Sequence, residues 1–82
     1  MEDSDIWRVI TLHRKHSGLS RLELADIAGV GKTVIYDIEH GKETVQFSSL
    51  KKVLDALNIK IRLESPALEF LMSRENEERT YR

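Results

Sequence analysis

Residues 18–42, Gly-Leu-Ser-Arg-Leu-Glu-Leu-Ala-Asp-Ile-Ala-Gly-Val-Gly-Lys-Thr-Val-Ile-Tyr-Asp-Ile-Glu-His-Gly-Lys, leave this chain little freedom in how it folds. Ser20 is a strong N-cap residue, and Glu23 stands three positions later, where a capping box places its carboxylate. The spacing predicts a short helix over residues 21–28, with Leu22, Ala25 and Ala28 on one stripe and Leu24 and Ile27 beside it, so that much of the helix is buried. Ala25 leaves room for a second helix to come close. Gly29 follows where the chain must enter the left-handed region, which glycine reaches without a Cβ penalty. A second helix is predicted from Gly31 or Lys32 to His40, closed by Gly41. At about 100° per residue its Val34, Ile35 and Ile38 share one side, and Lys32, Thr33, Tyr36 and Asp37 share the other.

Two short helices joined by a tight glycine turn, the second with a polar outer face, are the arrangement in which a helix-turn-helix presents side chains to DNA. The order of these residues resembles the Xre family of phage-repressor-like helix-turn-helix proteins, whose motif runs Gly-Leu-Ser-x-x-Glu-Leu-Ala-x-x-Ala-Gly-Val-x-x-x-x-Ile-x-x-Ile-Glu-x-Gly-Lys. With the flanking helices the resemblance covers about residues 5–64. It implies that the second motif helix enters the major groove with Lys32, Thr33, Tyr36 and Asp37 facing base edges. It also implies that Arg21 contacts phosphate and that His40, Gly41 and Lys42 lie against the DNA backbone. The chemistry suits these roles: lysine donates to guanine O6 and N7, threonine offers a hydroxyl and a methyl, and aspartate accepts from cytosine N4. Tyr36 has a ring and a hydroxyl for either a base or a phosphate. The family often carries glutamine at the positions of Arg21 and Lys32, so the operator sequence does not transfer.

Eighty-two residues make one domain whose core is only marginally self-sufficient, which favours self-association. The absence of cysteine removes disulfides and thiolate metal sites and fits a reducing cytoplasm. No apolar run approaches the roughly 20 residues of a membrane span, and the acidic start Glu2-Asp3-Ser4-Asp5 is unlike a signal peptide. A net charge of −1 speaks against indiscriminate coating of nucleic acid, but a locally positive surface still results if Arg21, Lys32, Lys42 and the helix N-termini converge.

A first helix is predicted over residues 5–16, with Ser4 as a candidate N-cap and Ile6, Trp7, Val9, Ile10 and His13 on its inner face. The family resemblance implies that Arg14 pairs with Glu39 and ties this helix to the recognition helix. His13 stands at a position that is usually apolar in the family and reads as a packed histidine. After a loop at residues 43–47, Ser48 or Ser49 is placed to cap a helix with the stripe Leu50, Val53, Leu54 and Leu57.

Asn58 ends that helix, and Ile59, Ile61 and Leu63 then alternate with Lys60, Arg62 and Glu64 at the period of a half-buried strand over residues 58–64. No second strand pattern is visible, so pairing with a copy of the same segment is the simplest way to satisfy its backbone. The competing reading is an extended tail laid on its own core. The wording Thr-Val-Gln-Phe-Ser-Ser-Leu-x-x-Val-Leu-x-Ala-Leu-Asn-Ile-x-Ile resembles the HipB-type antitoxin branch, in which this strand forms an intermolecular sheet. That resemblance further implies a HipA-like serine/threonine kinase toxin as partner and repression of a shared operon. Ser65-Pro66 reads as a helix start with proline at N1, followed by apolar Leu68, Phe70, Leu71 and Met72, which need cover, and a polar tail over residues 73–82 expected to be mobile.

The expected architecture is therefore mostly α: a four- to five-helix repressor-like helix-turn-helix domain over residues 1–64, one C-terminal β-strand pairing across a homodimer, and a helix and tail over residues 65–82. Two recognition helices related by a two-fold would read half-sites about 34 Å apart on a pseudo-palindromic double-stranded operator. A stand-alone phage-type or restriction-modification control regulator, and a protein-interaction module that has lost DNA binding, are the competing functions. Catalysis, cofactors and metals find no support. Gly31-Lys32-Thr33 imitates the end of a phosphate-binding loop, but Asp26 stands where that loop needs its first glycine, and His13 and His16 lack an evident third ligand.

Overall fold

Asp5 opens the first helix with extended backbone (φ −62°, ψ 138°), and its carbonyl accepts from the amides of Arg8 and Val9, each at 3.1 Å. The chain is described by a computed structural model over residues 5–80, with side chains through residue 76. Its elements are α1 (Ile6–His16), α2 (Arg21–Ala28), α3 (Lys32–Glu39), α4 (Phe47–Ala56) and α5 (Leu68–Thr80). The proposed cap at Ser4 lies outside the described residues.

At α2 the capping box forms in both directions: Ser20 Oγ accepts from the Glu23 amide at 3.0 Å, and Glu23 Oε1 accepts from the Ser20 amide at 2.8 Å. Removing the hydroxyl in Ser20→Ala is expected to cost about 0.5–2 kcal/mol in urea unfolding. An unchanged midpoint would show that the box adds nothing to the fold.

Helices α1 to α4 share one way of ending. In each, a residue with positive φ is followed by one whose amide donates five positions back: Leu19 to Arg14 at 3.2 Å, Val30 to Ala25 at 3.0 Å, Lys42 to Asp37 at 3.0 Å and Ile59 to Leu54 at 2.8 Å. This is the Schellman closure, which normally adds an apolar contact from the residue after the turn back onto the helix. Leu19, Val30 and Ile59 supply apolar side chains packed on the core; at the end of α3 the same slot holds Lys42. Gly29 (φ 75°) makes the turn between α2 and α3. Asn58 (φ 60°) makes the turn after α4, a conformation that asparagine tolerates better than most side chains.

The core is built from Ile10, Leu24, Ala25, Ile35, Ile38, Val53 and Leu54, drawn from all of α1 to α4. α2 packs between α3 and α4, and α1 packs on α3. Ala25 is 1% exposed, as expected of a residue that admits a neighbouring helix. The apolar pattern overstated burial elsewhere. Leu22 and Ile27 on α2 are more than half exposed, because an eight-residue helix between two neighbours buries only a narrow stripe. On α1 the buried residues are Ile10 and Arg14, whereas Ile6, Trp7 and His13 are exposed, so His13 is not packed inward; its Nδ1 faces the Val9 carbonyl at 2.7 Å. α4 starts at Phe47 with Gln46 as N-cap and no side-chain cap, so neither Ser48 nor Ser49 caps it.

Among the described residues there is no strand. Residues 59–65 are irregular after Asn58, Ile59 packs on the core, and Ile61 and Leu63 are exposed. The period-2 pattern alone does not make a strand, since a ladder needs a second edge and the described residues offer none. α5 starts at Leu68, after a turn at Pro66 and Ala67 in which the Leu68 amide donates to Ser65 O at 3.2 Å; the expected start at Pro66 is two residues early. It continues through residues 73–80 and exposes Leu68, Phe70, Leu71 and Met72. The radius of gyration is 16.7 Å, against about 12 Å for a compact chain of this length, and the extents are 52 × 27 × 25 Å. The C-terminal helix thus lengthens the molecule instead of thickening its core.

Candidate nucleic-acid interface

Helix α3 is held from below and open above. Ile35 and Ile38 are buried in the core and Val34 is half-buried, while Lys32, Thr33 and Tyr36 stand exposed on the opposite side. Its amino end has neither a side-chain cap nor an acidic residue in the first turn, so nothing of the helix's own neutralises the positive end of its dipole. Lys32 has no ion-pair partner among the described residues.

The structure brings the expected surface residues into two groups. Asp37 is half-buried and takes Lys42 Nζ at 3.5 Å. Lys42 occupies the slot after Gly41, so this ion pair replaces the apolar contact that closes the other helices. In the free protein Asp37 therefore anchors the Gly41–Lys42 turn as well as lining the outer face. The second group is Arg21, Tyr36 and His40. The Tyr36 and His40 rings stack with centroids 3.9 Å apart and 20° between planes, and His40 Nδ1–H donates to the Tyr36 carbonyl at 2.7 Å. The Arg21 guanidinium lies 5.5 Å from the Tyr36 ring centroid.

Behind this face is a buried charge cluster. The Glu39 side chain, 1% exposed, accepts from Arg14 Nε at 2.5 Å and Nη2 at 3.1 Å, and Arg14 Nη1 donates to the Leu19 carbonyl at 2.9 Å. Glu39 also accepts from Arg21 Nε at 2.8 Å. Burial by itself would raise the Glu39 pKa. The hydrogen bonds and positive charges of Arg14 and Arg21 outweigh it and hold the carboxyl below its ordinary value. No buried side-chain nitrogen or oxygen among the described residues lacks a hydrogen-bond partner.

Sequence reasoning missed the bond from Arg21 to Glu39 and the Tyr36–His40 stack. The second had a legible signal, since residues four apart on a helix are neighbours. The first joins positions 18 apart in the chain and had none. Among the described residues no group of His, Cys, Asp and Glu is arranged to hold a metal ion, and no helix is long and apolar enough to cross a membrane.

The family model described as Helix-turn-helix matches residues 12–63, well over half of the chain. This chain belongs to the helix-turn-helix family of transcriptional regulators. A curated relative from Sinorhizobium fredii (strain NBRC 101917 / NGR234), an uncharacterized HTH-type transcriptional regulator y4mF, is 38% identical over 63 residues, which is 77% of this chain and 83% of the relative. Two solved chains share the fold of this helix-turn-helix protein: one described as MDT Protein and one from a HipA-HipB-O2-O3 complex. Each has a TM-score of 0.70 at 20% identity and covers 80% of this chain and 93% of its own. Identity at that level speaks to the fold alone. The family membership agrees with the Xre-like motif read from residues 18–42.

Proposed function

We propose that this helix-turn-helix protein is a sequence-specific DNA-binding repressor acting as a homodimer, and that it is the antitoxin of a HipA/HipB-like pair which represses its own operon and binds a kinase toxin. The observation that carries the DNA-reading part is the two-sided α3, anchored by buried Ile35 and Ile38 with Lys32, Thr33 and Tyr36 outward. In this reading Lys32, Thr33 and Tyr36 meet base edges, with Asp37 at the flank of that row. His40, Gly41 and Lys42 lie along the phosphates.

Dimerisation is supported by residues 59–65, an irregular segment of alternating apolar side chains that has no ladder of its own and leaves Ile61 and Leu63 exposed. Two such segments placed antiparallel satisfy each other's backbone and cover Ile61 and Leu63. The antitoxin assignment is supported by the wording of residues 44–61 and by the fold shared with a chain of the HipA-HipB-O2-O3 complex. It predicts co-purification with a HipA-like kinase encoded beside this protein; a solitary gene would favour a stand-alone regulator instead.

The test of DNA reading is a mobility-shift titration on the promoter duplex of its own operon against a scrambled duplex, repeated over a salt series. Specific binding should weaken steeply as salt rises, because phosphate contacts release counterions. The double variant Lys32→Ala and Thr33→Ala should lose about 1–3 kcal/mol of discrimination per base contact removed while keeping most nonspecific affinity. Equal losses on promoter and scrambled DNA would reject base reading by these two residues.

A further inference from the structure

Arg21 lies at the amino end of α2 beside Tyr36, and one edge of its guanidinium is already committed. Its Nε donates to a Glu39 oxygen at 2.8 Å, and the Glu39 side chain is itself 1% exposed and fixed from the other side by Arg14. A guanidinium is planar, so engaging Nε with a rigid carboxylate sets the orientation of the whole group. That group sits 5.5 Å from the Tyr36 ring centroid, within range of a cation–π attraction. The ring also stacks on His40 at 3.9 Å, and His40 is tied back to the Tyr36 carbonyl.

We infer that Arg21 is a positioning residue for base recognition: through its bond to Glu39 it pins the Tyr36 ring, so that Tyr36 presents one fixed edge to the groove. This inference rests on the DNA-reading role proposed above. A half-exposed tyrosine on a surface helix otherwise samples several rotamers, and binding would have to select one of them. Contacts from Arg21 and His40 make that selection in the free protein. Discrimination at the base pair beneath Tyr36 therefore depends on a residue that need not touch that base pair.

Lysine at position 21 separates this role from phosphate attraction. It keeps the charge and loses both Nε and the planar stacking group. The experiment measures Arg21→Lys, Tyr36→Ala and the double variant against the operator duplex and a panel carrying every single-base-pair change. Thermal melts and a salt series accompany each protein. Arg21→Lys is expected to relax discrimination about tenfold at the same base pair that Tyr36→Ala relaxes, to leave other positions and the salt slope near wild type, and to add nothing when combined with Tyr36→Ala. A lysine variant equal to wild type at every position would overturn the inference, as would a uniform loss across the panel. Wild-type protein without any operator preference would overturn the DNA-reading role itself, and this inference with it.

Discussion

Replacing Glu39 by alanine is expected to destabilise the domain by about 3–5 kcal/mol, the range for breaking a buried ion pair from one side. The loss comes mainly from what stays behind. Arg14 has a side chain only 10% exposed and would keep its charge with one remaining listener, the Leu19 carbonyl. Against a total stability of about 5–15 kcal/mol for a domain, that change brings the chain near unfolding. Urea titration measures it, and a loss below about 1 kcal/mol would mean that water or relaxation replaces the carboxylate. Changing both partners to apolar residues of similar volume, Arg14→Met with Glu39→Leu, should recover most of the stability, because no charge is then left buried.

The same cluster sets an acid limit. A carboxyl whose pKa is lower in the folded state stabilises the fold fully above its ordinary value of 4.5, and that contribution declines as pH falls through the folded value. Wild-type stability should therefore drop on acidification below about pH 4.5 more steeply than that of Glu39→Gln, whose side chain does not titrate in this range. Parallel stability curves for the two proteins would show that other carboxylates govern acid unfolding.

Placing aspartate at Ile61 is the second large expected effect. Ile61 is 47% exposed on the irregular segment after Asn58 and is not among the core residues, so the substitution removes little from the monomer's own core. If two segments pair across a two-fold, the charge falls in the apolar strip between them, and sedimentation should show a shift from dimer to monomer. Operator affinity should then fall by about 10²–10⁴, the gain that linking two binding sites provides. A dimer that survives the substitution would remove residues 59–65 from the subunit contact.

Local signals accounted for the motif itself. Ser20, Glu23 and Gly29 act through bonds and angles within a few residues, and α2 with its glycine turn follows from them. The two-sided character of α3 was equally legible, because an apolar stripe at helical period states which side is buried. Tertiary placement was less so. Ile6, Trp7, Leu22 and Ile27 satisfy the same periodicity as buried residues, yet no element among the described residues covers them. The start of α4 at Phe47 overrides the better capping residues Ser48 and Ser49, since the chain leaves the turn already positioned to pack Leu50, Val53 and Leu54. The path from Arg21 through Glu39 to Arg14 depends on α1, α2 and α3 meeting, which no local pattern encodes.

Among the closing slots of α1 to α4, Lys42 stands where Leu19, Val30 and Ile59 place apolar side chains in the others. An aliphatic residue there would seal the end of α3 as it does elsewhere, and would remove a cation from the loop assigned to the duplex backbone. If the loop grips the duplex as proposed, that position would set thermal robustness against hold on DNA, and a change there would alter operator occupancy without touching a base-reading side chain.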